Sequence, residues 1–317
     1  MEQTNDIAAF SEKIDRIRES ISKVIVGQDK AVDLILTCLL ADGHVLIEGV
    51  PGVAKTRLAR LVASLIGARF SRIQFTPDLM PSDILGTTVF NMKTQEFDFH
   101  EGPAFADIVL ADEINRAPAK TQSALFEVMQ ERQVTIDGIT HSMDDIYTVI
   151  ATQNPIEQEG TYRLPEAQLD RFLMKVTMGY PERNEEIEVL RRHTNQTTED
   201  VPSPVITNEE LRQMREMVPS IHIDDSLLGY ITDIAGMTRT SRAVYLGASP
   251  RASIGILMAS KATALMSGRD FVTPEDIQTV TPYVLQHRLL LTAEAEMEGL
   301  TPLKVATKLM DRVEVPK

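Results

Sequence analysis

The stretch that decides the fold is HVLIEGVPGVAKT, at residues 44–56. Its first five residues form a short apolar run of the kind that makes a buried strand. The next eight, GVPGVAKT, combine two glycines with a lysine and a threonine directly before a helical pattern. A strand, a close-turning loop and a helix in this order can point backbone N–H groups at an anion. The stretch therefore predicts a phosphate-binding loop.

Residue types within this loop each have a physical reason. Gly49 and Gly52 give the backbone freedom to wrap around phosphates. Lys55 can reach the β- and γ-phosphates, and the Thr56 hydroxyl suits Mg²⁺. Ala54 stands where the general pattern GxxxxGK[ST] has glycine, and alanine tolerates positive φ poorly, so a positive φ there predicts weaker nucleotide binding. The alternative, a solvated lysine in a Gly/Pro turn, fits the flanking strand and helix less well.

Two carboxylates end a second apolar run. The residues IVLA lead into Asp112 and Glu113, as in a buried strand whose end reaches the carboxyl edge of a parallel sheet. Asp112 could hold Mg²⁺ through water there, and Glu113 could polarise an attacking water. The alternative is a strand followed by an aspartate that caps a helix. The phosphate loop upstream favours the first interpretation.

Three further polar residues could also take part in phosphate chemistry. Asn154, in TVIATQNP, follows a third apolar run, and its amide could hold the attacking water. Arg171, in LPEAQLDRF, begins a strand pattern, and Arg251, in GASPRAS, begins a helix pattern. Either guanidinium could stabilise charge on a transferred phosphoryl group. The ordinary alternatives are a turn before proline for Asn154 and surface ion pairs for the arginines.

The first 190 residues alternate apolar strand runs with helical patterns, which predicts a parallel sheet covered by helices on both faces. Two hairpins interrupt the alternation at 86–100 and 133–142, the second around the turn dipeptide Asp137-Gly138. Strands are predicted at 44–48, 70–75, 107–112, 145–152 and 171–178, and helices at roughly 7–22, 28–41, 55–66 and 118–131.

A polar, proline-containing segment at 194–206 is the predicted linker. Helical patterns follow it, and Thr207 and Thr273 have the chemistry of helix N-caps. The sequence therefore predicts an α/β nucleotide-binding core over residues 1–197 and a small all-α lid domain over residues 198–317.

The amino-acid composition limits the classes of function that are expected for this chain. The chain has 317 residues, 43% hydrophobic and 25% charged, which is typical of a globular protein with about two domains. Its 32 basic and 46 acidic residues give a net charge of −14, so bulk nucleic-acid binding is not expected. One cysteine allows neither an intrachain disulfide nor a zinc site built on cysteines. Without a signal-peptide pattern or a run of about 18 apolar residues, the expectation is a cytoplasmic protein with no membrane span.

In order, the motifs VGQDKA (26–31), GVPGVAKT, LADEINRAPAK, ATQNP, LPEAQLDRF and ASPRA resemble the AAA+ ATPases, and specifically the MoxR family. The resemblance covers about residues 25–310. It implies a P-loop NTPase core with a parallel sheet and β-hairpin inserts, followed by the helical lid. It also implies ATP and Mg²⁺ as cofactors and a homo-oligomeric ring, by family expectation a hexamer.

The resemblance further implies a role for each motif residue. Asp112 and Glu113 resemble the Walker B motif, and Asn154 resembles sensor 1. Arg171 resembles the arginine finger, which acts on the neighbouring subunit's nucleotide, and Arg251 resembles sensor 2, which reaches its own subunit's nucleotide from the lid. Glu113, Asn154, Arg171 and Arg251 would be catalytic, and Thr56 and Asp112 would hold the metal. GVPGVAKT resembles Walker A, and the nucleotide-binding residues would be Val26, Gly27, Gly49, Val50, Pro51, Gly52, Val53, Ala54, Lys55, Thr56, Arg57 and Asp112.

Three functions remain open at this point. MoxR relatives are linked to enzyme maturation, metal-cofactor insertion and partners with von Willebrand factor A domains, so an Mg-ATP-driven, chaperone-like remodeller is the first. A nucleic-acid motor is the second, although Lys93 is the one lysine or arginine in the two hairpin segments. The third is a switch that binds ATP without hydrolysing it, which only Ala54 supports. A hinge between residues 178 and 207 is expected to couple the phosphate state to the subunit angle.

Overall fold

The computed structural model describes residues 2–154, 162–194 and 203–316. The first part of the chain alternates strands and helices, as the sequence predicts. Its elements are α1 (Glu2–Ser22), α2 (Asp29–Leu40), β1 (Val45–Gly49), α3 (Lys55–Leu65), β2 (Phe70–Gln74), α4 (Pro81–Leu85), β3 (Gly86–Asn91), β4 (Glu96–Glu101), β5 (Ile108–Asp112), α5 (Ala119–Glu131), β6 (Gln133–Ile136), β7 (Ile139–Ser142), β8 (Thr148–Gln153), α6 (Glu166–Leu169), β9 (Met174–Met178) and α7 (Arg183–Thr194).

Five strands form one parallel sheet in the order β2-β5-β8-β1-β9. All five residues of β5 are buried, as expected for a strand with helices on both faces. Strand β9 begins three residues later than predicted, because Arg171 and Phe172 donate their backbone N–H groups to Gln168 and Leu169 in a turn after α6. That turn leaves Arg171 just outside the amino end of the strand.

Both predicted hairpins are confirmed. Strands β3 and β4 pair over six residues, and β6 and β7 pair over four. Asp137 and Gly138 at the second turn have φ values of 50° and 80°, the two positive angles that a type I′ turn needs.

The second part of the chain is the predicted helical lid, with one short strand pair inside it. Thr207 and Thr273 cap their helices in capping boxes with Glu210 and Asp276. The strand pair has only three and two residues, too short for an alternating pattern to be recognised. The elements are α8 (Asn208–Met217), α9 (Asp225–Thr240), β10 (Val244–Leu246), α10 (Pro250–Met266), α11 (Pro274–Leu285), β11 (Leu290–Leu291), α12 (Ala293–Met297) and α13 (Pro302–Met310).

The lid packs along β9, the edge strand of the sheet. His287 lies 2.9 Å from the Phe172 carbonyl oxygen, and Arg288 donates to the Leu173 carbonyl oxygen at 3.0 Å and to Asp170 at 2.6 Å. Helices α1, α2 and α3 share one hydrophobic core with the lid helices. The predicted boundary between residues 197 and 198, and residues 195–202 of the predicted linker, lie outside the described residues. Where the chain is described, no helix is both long and apolar enough to cross a membrane.

Candidate nucleotide-binding site

The carboxyl edge of the parallel sheet brings together the predicted phosphate loop, acidic pair and amide. Lys55 and Thr56 follow β1, Asp112 ends β5, and Asn154 follows β8. Strand β8 lies between β5 and β1, so the buried Asn154 lies between the acidic pair and the loop. Ligands bind at this edge of open parallel sheets.

Loop geometry fits the close approach of an anion. Gly52 has a φ of 86° and open space beside it, whereas Gly49 is required by the neighbouring strand, because a side chain there would lie 2.6 Å from the Met178 carbonyl oxygen. Helix α3 begins at Lys55, so its first-turn N–H groups and the positive end of its dipole face the loop. The Lys55 ammonium donates to the Gly49 carbonyl oxygen at 2.6 Å, which holds the cation across the loop.

The other predicted residues of the loop differ in exposure. Val53 is buried and Val50 is partly buried, whereas Pro51 and Arg57 are exposed. Partial burial, and then the neighbouring Arg192 guanidinium, lower the pKa of Arg57 below its usual value.

Ala54 adopts the positive φ on which the sequence prediction depended. Its φ of 62° and ψ of 25° are left-handed, a conformation that costs a residue with a side chain about 1–2 kcal/mol. This cost reduces the stability of the fold. The expected weaker nucleotide binding stays a prediction.

We expect Ala54→Gly to raise the free energy of unfolding by about 0.5–1 kcal/mol, because the relieved strain exceeds the added freedom of the unfolded chain. Denaturant unfolding measures this change, and titration with a fluorescent ADP analogue measures affinity. Ala41→Gly is the matched control, since Ala41 has a φ of −76° and its replacement should destabilise the fold. A destabilised Ala54→Gly variant would contradict the strain argument.

Three side chains hold Asp112, two from the neighbouring strands β2 and β8 and one from the first turn of α3. The Thr56 hydroxyl lies 3.3 Å from its Oδ2, and the Thr152 hydroxyl donates to its Oδ1 at 2.6 Å. Arg72 donates to Oδ2 through Nε at 3.0 Å and through Nη2 at 2.7 Å. Asp112 Oδ2 therefore contacts both the Thr56 hydroxyl and the Arg72 guanidinium. A metal cation could replace the guanidinium at this oxygen.

Glu113 is fixed in an uncommon backbone conformation, with a φ of 56°. Its N–H donates to the Thr152 hydroxyl at 2.9 Å. Its Oε2 accepts from Gln74 and from Arg116, both at 2.9 Å. The carboxylate at the sheet edge is therefore oriented from two sides.

Sequence reasoning missed four of the residues that hold the acidic pair, Arg72, Gln74, Arg116 and Thr152. Gln74 lies opposite Asp112 in the β2–β5 register, and Thr152 lies on β8, on the other side of β5. Polar residues end the apolar runs of β2, β5 and β8, and this pattern could have indicated Gln74 and Thr152. Their neighbourhood depends on the strand order, which the sequence does not give.

A cleft opens beside the predicted Val26 and Gly27. Gly27, with a φ of 72°, lines it, and Val26 directly precedes that residue. Tyr283, from the lid helix α11, closes the far side, with the Lys30 ammonium 5.0 Å from its ring centre. The cleft is lined by Gly27, Gln28, Lys30, Ala31, Leu34, Val176, Thr177, Gly179, Tyr180 and Tyr283. Sequence reasoning missed Tyr283, because the lid contact is not local in the chain.

Arg171 and Arg251 lie at the opposite edge of the sheet. Met178 at the end of β9 pairs with Gly49, so Arg171, before the start of β9, is more than about 13 Å along the strand from the loop. It donates to the Phe126 carbonyl oxygen at 2.5 Å. The Arg251 side chain is 54% exposed and lies 4.0 Å from Asp170.

That Arg251 reaches its own chain's nucleotide stays a prediction, and its position in this structure lies away from the chain's own phosphate loop. The lid lies alongside edge strand β9, with α10 beginning next to Asp170 at the amino edge, rather than over the phosphate loop. Both arginines lie at the same edge, where Arg171 is partly buried and Arg251 is exposed.

Comparisons with known proteins cover nearly the whole chain. The family model described as "ATPase family associated with various cellular activities (AAA)" matches residues 44–174, and an AAA lid domain model matches residues 236–309. Chaperone MoxR1 of Mycobacterium tuberculosis is 44% identical over 98% of this chain and 84% of its own length. Protein YeaC of Bacillus subtilis is 49% identical over 94% of this chain and 93% of its own. A crystal structure of a protein from Cytophaga hutchinsonii superposes with a TM-score of 0.92 at 39% identity, covering 100% of this chain and 98% of that one.

Proposed function

Since this chain belongs to the MoxR family of AAA+ ATPases, we propose that it hydrolyses ATP and uses the conformational change to remodel partner proteins. The observation that carries the ATPase proposal is the carboxyl edge, where Lys55 and Thr56 at the start of α3 lie beside Asp112 and Glu113 at the end of β5. In the proposed reaction Lys55 binds the phosphates, Glu113 polarises the attacking water, and Asn154 helps to hold that water.

Mg²⁺ fits the donor set at this edge. The Thr56 hydroxyl and Asp112 Oδ2 are hard oxygen ligands 3.3 Å apart, of the type that Mg²⁺ binds. When bound, the ion would neutralise negative charge on the phosphates. No cluster of three His, Cys, Asp or Glu side chains forms a metal site in the described parts of the chain, so phosphate and water oxygens would supply the remaining ligands.

Arg72 is expected to compete with Mg²⁺, because its two donors occupy the Asp112 oxygen nearest Thr56. Loss of the Arg72–Asp112 ion pair should make Mg²⁺ binding at Asp112 more favourable by about 1 kcal/mol. The Mg²⁺ concentration at half-maximal nucleotide binding should therefore fall roughly three- to tenfold in Arg72→Gln. Binding of a fluorescent ATP analogue across a Mg²⁺ titration measures the midpoint. Arg72→Lys, which keeps the charge, is the matched control. A midpoint that is unchanged or raised in Arg72→Gln would contradict the competition.

The active unit is proposed to be a ring in which each site is completed by the next subunit. Arg171 and Arg251 lie at the edge opposite their own phosphate loop, so they suit a head-to-tail contact with a neighbour's nucleotide. Repetition of such a contact by rotation closes a ring. We propose a homo-oligomer, with a hexamer as the family expectation.

The lid is proposed to sense the nucleotide through the cleft at Gly27. Core residues line one side of this cleft and Tyr283 of the lid lines the other, so a base bound there contacts both domains. A change in nucleotide state can thereby alter the angle of the lid, and the predicted hinge between residues 178 and 207 would absorb the movement.

The remodelling proposal follows from the relatives. One of them is named a chaperone, and two others carry the name MoxR. We propose by this resemblance that the chain acts in the cytoplasm, on proteins that need assembly or a metal cofactor. A partner with a von Willebrand factor A domain is part of that proposal.

The test is Mg²⁺-dependent ATP turnover per subunit across a hundredfold range of protein concentration. A shared site requires assembly, so specific activity should rise with concentration and then level off. Turnover that is constant across the range would contradict the shared site. Tight ATP binding without turnover at any concentration would contradict hydrolysis and favour the switch.

A further inference from the structure

The hairpin of β3 and β4 exposes large apolar side chains near its tip. Met92 is 86% exposed, Phe97 is 72% exposed and Phe90 is 47% exposed. The rings of Phe90 and Phe97 lie 5.1 Å apart on paired residues of the two strands. We call Phe90, Met92 and Phe97 the aromatic tip.

The hairpin has two different faces, since side chains alternate along each strand. Phe90, Phe97 and Phe99 share one face. Glu96 and Asp98 lie on the other face, where Asn91 donates to Asp98 at 2.8 Å. The segment 86–101 contains three carboxylates and one lysine, so the apolar face is backed by negative charge.

The base of the aromatic face is anchored, whereas the tip is not covered. Phe99 packs edge-on against Phe105 at 5.7 Å and lies 4.0 Å from the His141 ring of the second hairpin. These contacts continue the face into the body of the protein. The aromatic tip lies beyond these contacts and is exposed, as expected for a preformed surface that binds a partner.

We propose that the aromatic tip binds a segment of the client protein that combines apolar and basic side chains, an inference that rests on the proposed function. Phe90, Met92 and Phe97 would contact the apolar residues, and Glu96 and Asp98 would attract the basic ones. The same carboxylates disfavour nucleic acid and anionic lipid surfaces. A second copy of the hairpin, which carries the same excess of carboxylates, is also a poor electrostatic match.

The second hairpin serves as a matched control. Ile139, at its turn, is 63% exposed, but Thr135 and Thr140 pair beside it through their hydroxyls at 3.0 Å. At its end this hairpin pairs the exposed Ile139 with the partly buried Ile136, and neither is aromatic.

The experiment measures binding of two short fluorescein-labelled peptides by anisotropy, with the full chain and ATP present. One peptide alternates leucine and lysine, and the other has glutamate in place of lysine. We expect wild type to prefer the basic peptide, and Phe97→Ser to weaken that binding about tenfold or more. Ile139→Ser should leave binding within about twofold of wild type.

Charge reversal tests the acidic face. We expect Glu96→Lys with Asp98→Lys to weaken the basic peptide and strengthen the acidic one. Glu294→Lys with Glu298→Lys makes the same charge change on two exposed residues, one in α12 and one directly after it, and should leave the preference intact. Equal effects of the two pairs would overturn the proposal, because they would indicate attraction to net charge alone.

Other outcomes also decide the proposal. Equal binding of both peptides by wild type, or no effect of Phe97→Ser, would overturn it. So would dissociation of the oligomer in Phe97→Ser, since the aromatic tip would then be a contact between copies. ATP turnover measured on the same samples separates the two proposals. Turnover without selective peptide binding refutes only the surface, and selective binding without turnover supports the surface and refutes the ATPase function.

Discussion

Replacing Glu113 with glutamine is expected to lower ATP turnover by about two to four orders of magnitude, because a neutral amide cannot accept a proton from the attacking water. The amide keeps the size of the side chain. It can still accept hydrogen bonds from Gln74 and Arg116, so the unusual backbone at Glu113 should persist. Nucleotide binding should change little, since Lys55 and the loop are intact.

Single-turnover hydrolysis and binding of a fluorescent ATP analogue, measured on the same preparation, check this expectation. Glu127→Gln is the matched control, because Glu127 is an exposed glutamate on α5. A loss of turnover smaller than about tenfold would show that another group activates the water.

Arg171→Ala should lower turnover by about three orders of magnitude or more, the size of effect that arginine fingers supply. The substitution also removes a hydrogen bond to the Phe126 carbonyl oxygen, worth about 1 kcal/mol, so thermal unfolding must accompany the kinetics. ATP binding should be retained, because Arg171 lies at the edge of the sheet opposite the chain's own phosphate loop.

A mixing experiment tests whether Arg171 acts on a neighbour. Arg171→Ala subunits have intact phosphate loops, and Lys55→Ala subunits have intact arginines. In an equal random mixture about a quarter of the junctions join one intact loop to one intact arginine. Mixed samples should therefore recover up to about a quarter of wild-type turnover, although each variant alone is inactive. A mixture as inactive as its parts would refute action between subunits.

The same mixture with Arg251→Ala decides how Arg251 acts. If Arg251 serves the neighbour's nucleotide, as its position beside Asp170 supports, mixing with Lys55→Ala restores turnover. If it serves its own chain's nucleotide, every intact loop lacks its arginine and turnover stays low. The experiment thus decides between the sequence prediction for Arg251 and the action on a neighbour that the lid position supports.

The sequence by itself determined the local features of this protein. Strand, loop and helix around GVPGVAKT follow one another without interruption, so local backbone chemistry was enough to predict them. The Asp137-Gly138 hairpin and the capped lid helices at Thr207 and Thr273 were likewise encoded over a few residues. Asp112 and Asn154 could be predicted at the carboxyl edge, because each ends an apolar strand run.

Only the tertiary structure decided which of these features meet. Strand order put Arg72 and Gln74 of β2 on one side of the acidic pair and Thr152 of β8 on the other. Packing of the lid along β9 brought Tyr283 to the cleft and Arg251 to the opposite edge. These contacts join residues far apart in the chain. They depend on sheet order and domain packing, on which hydrophobic periodicity within one segment carries no information.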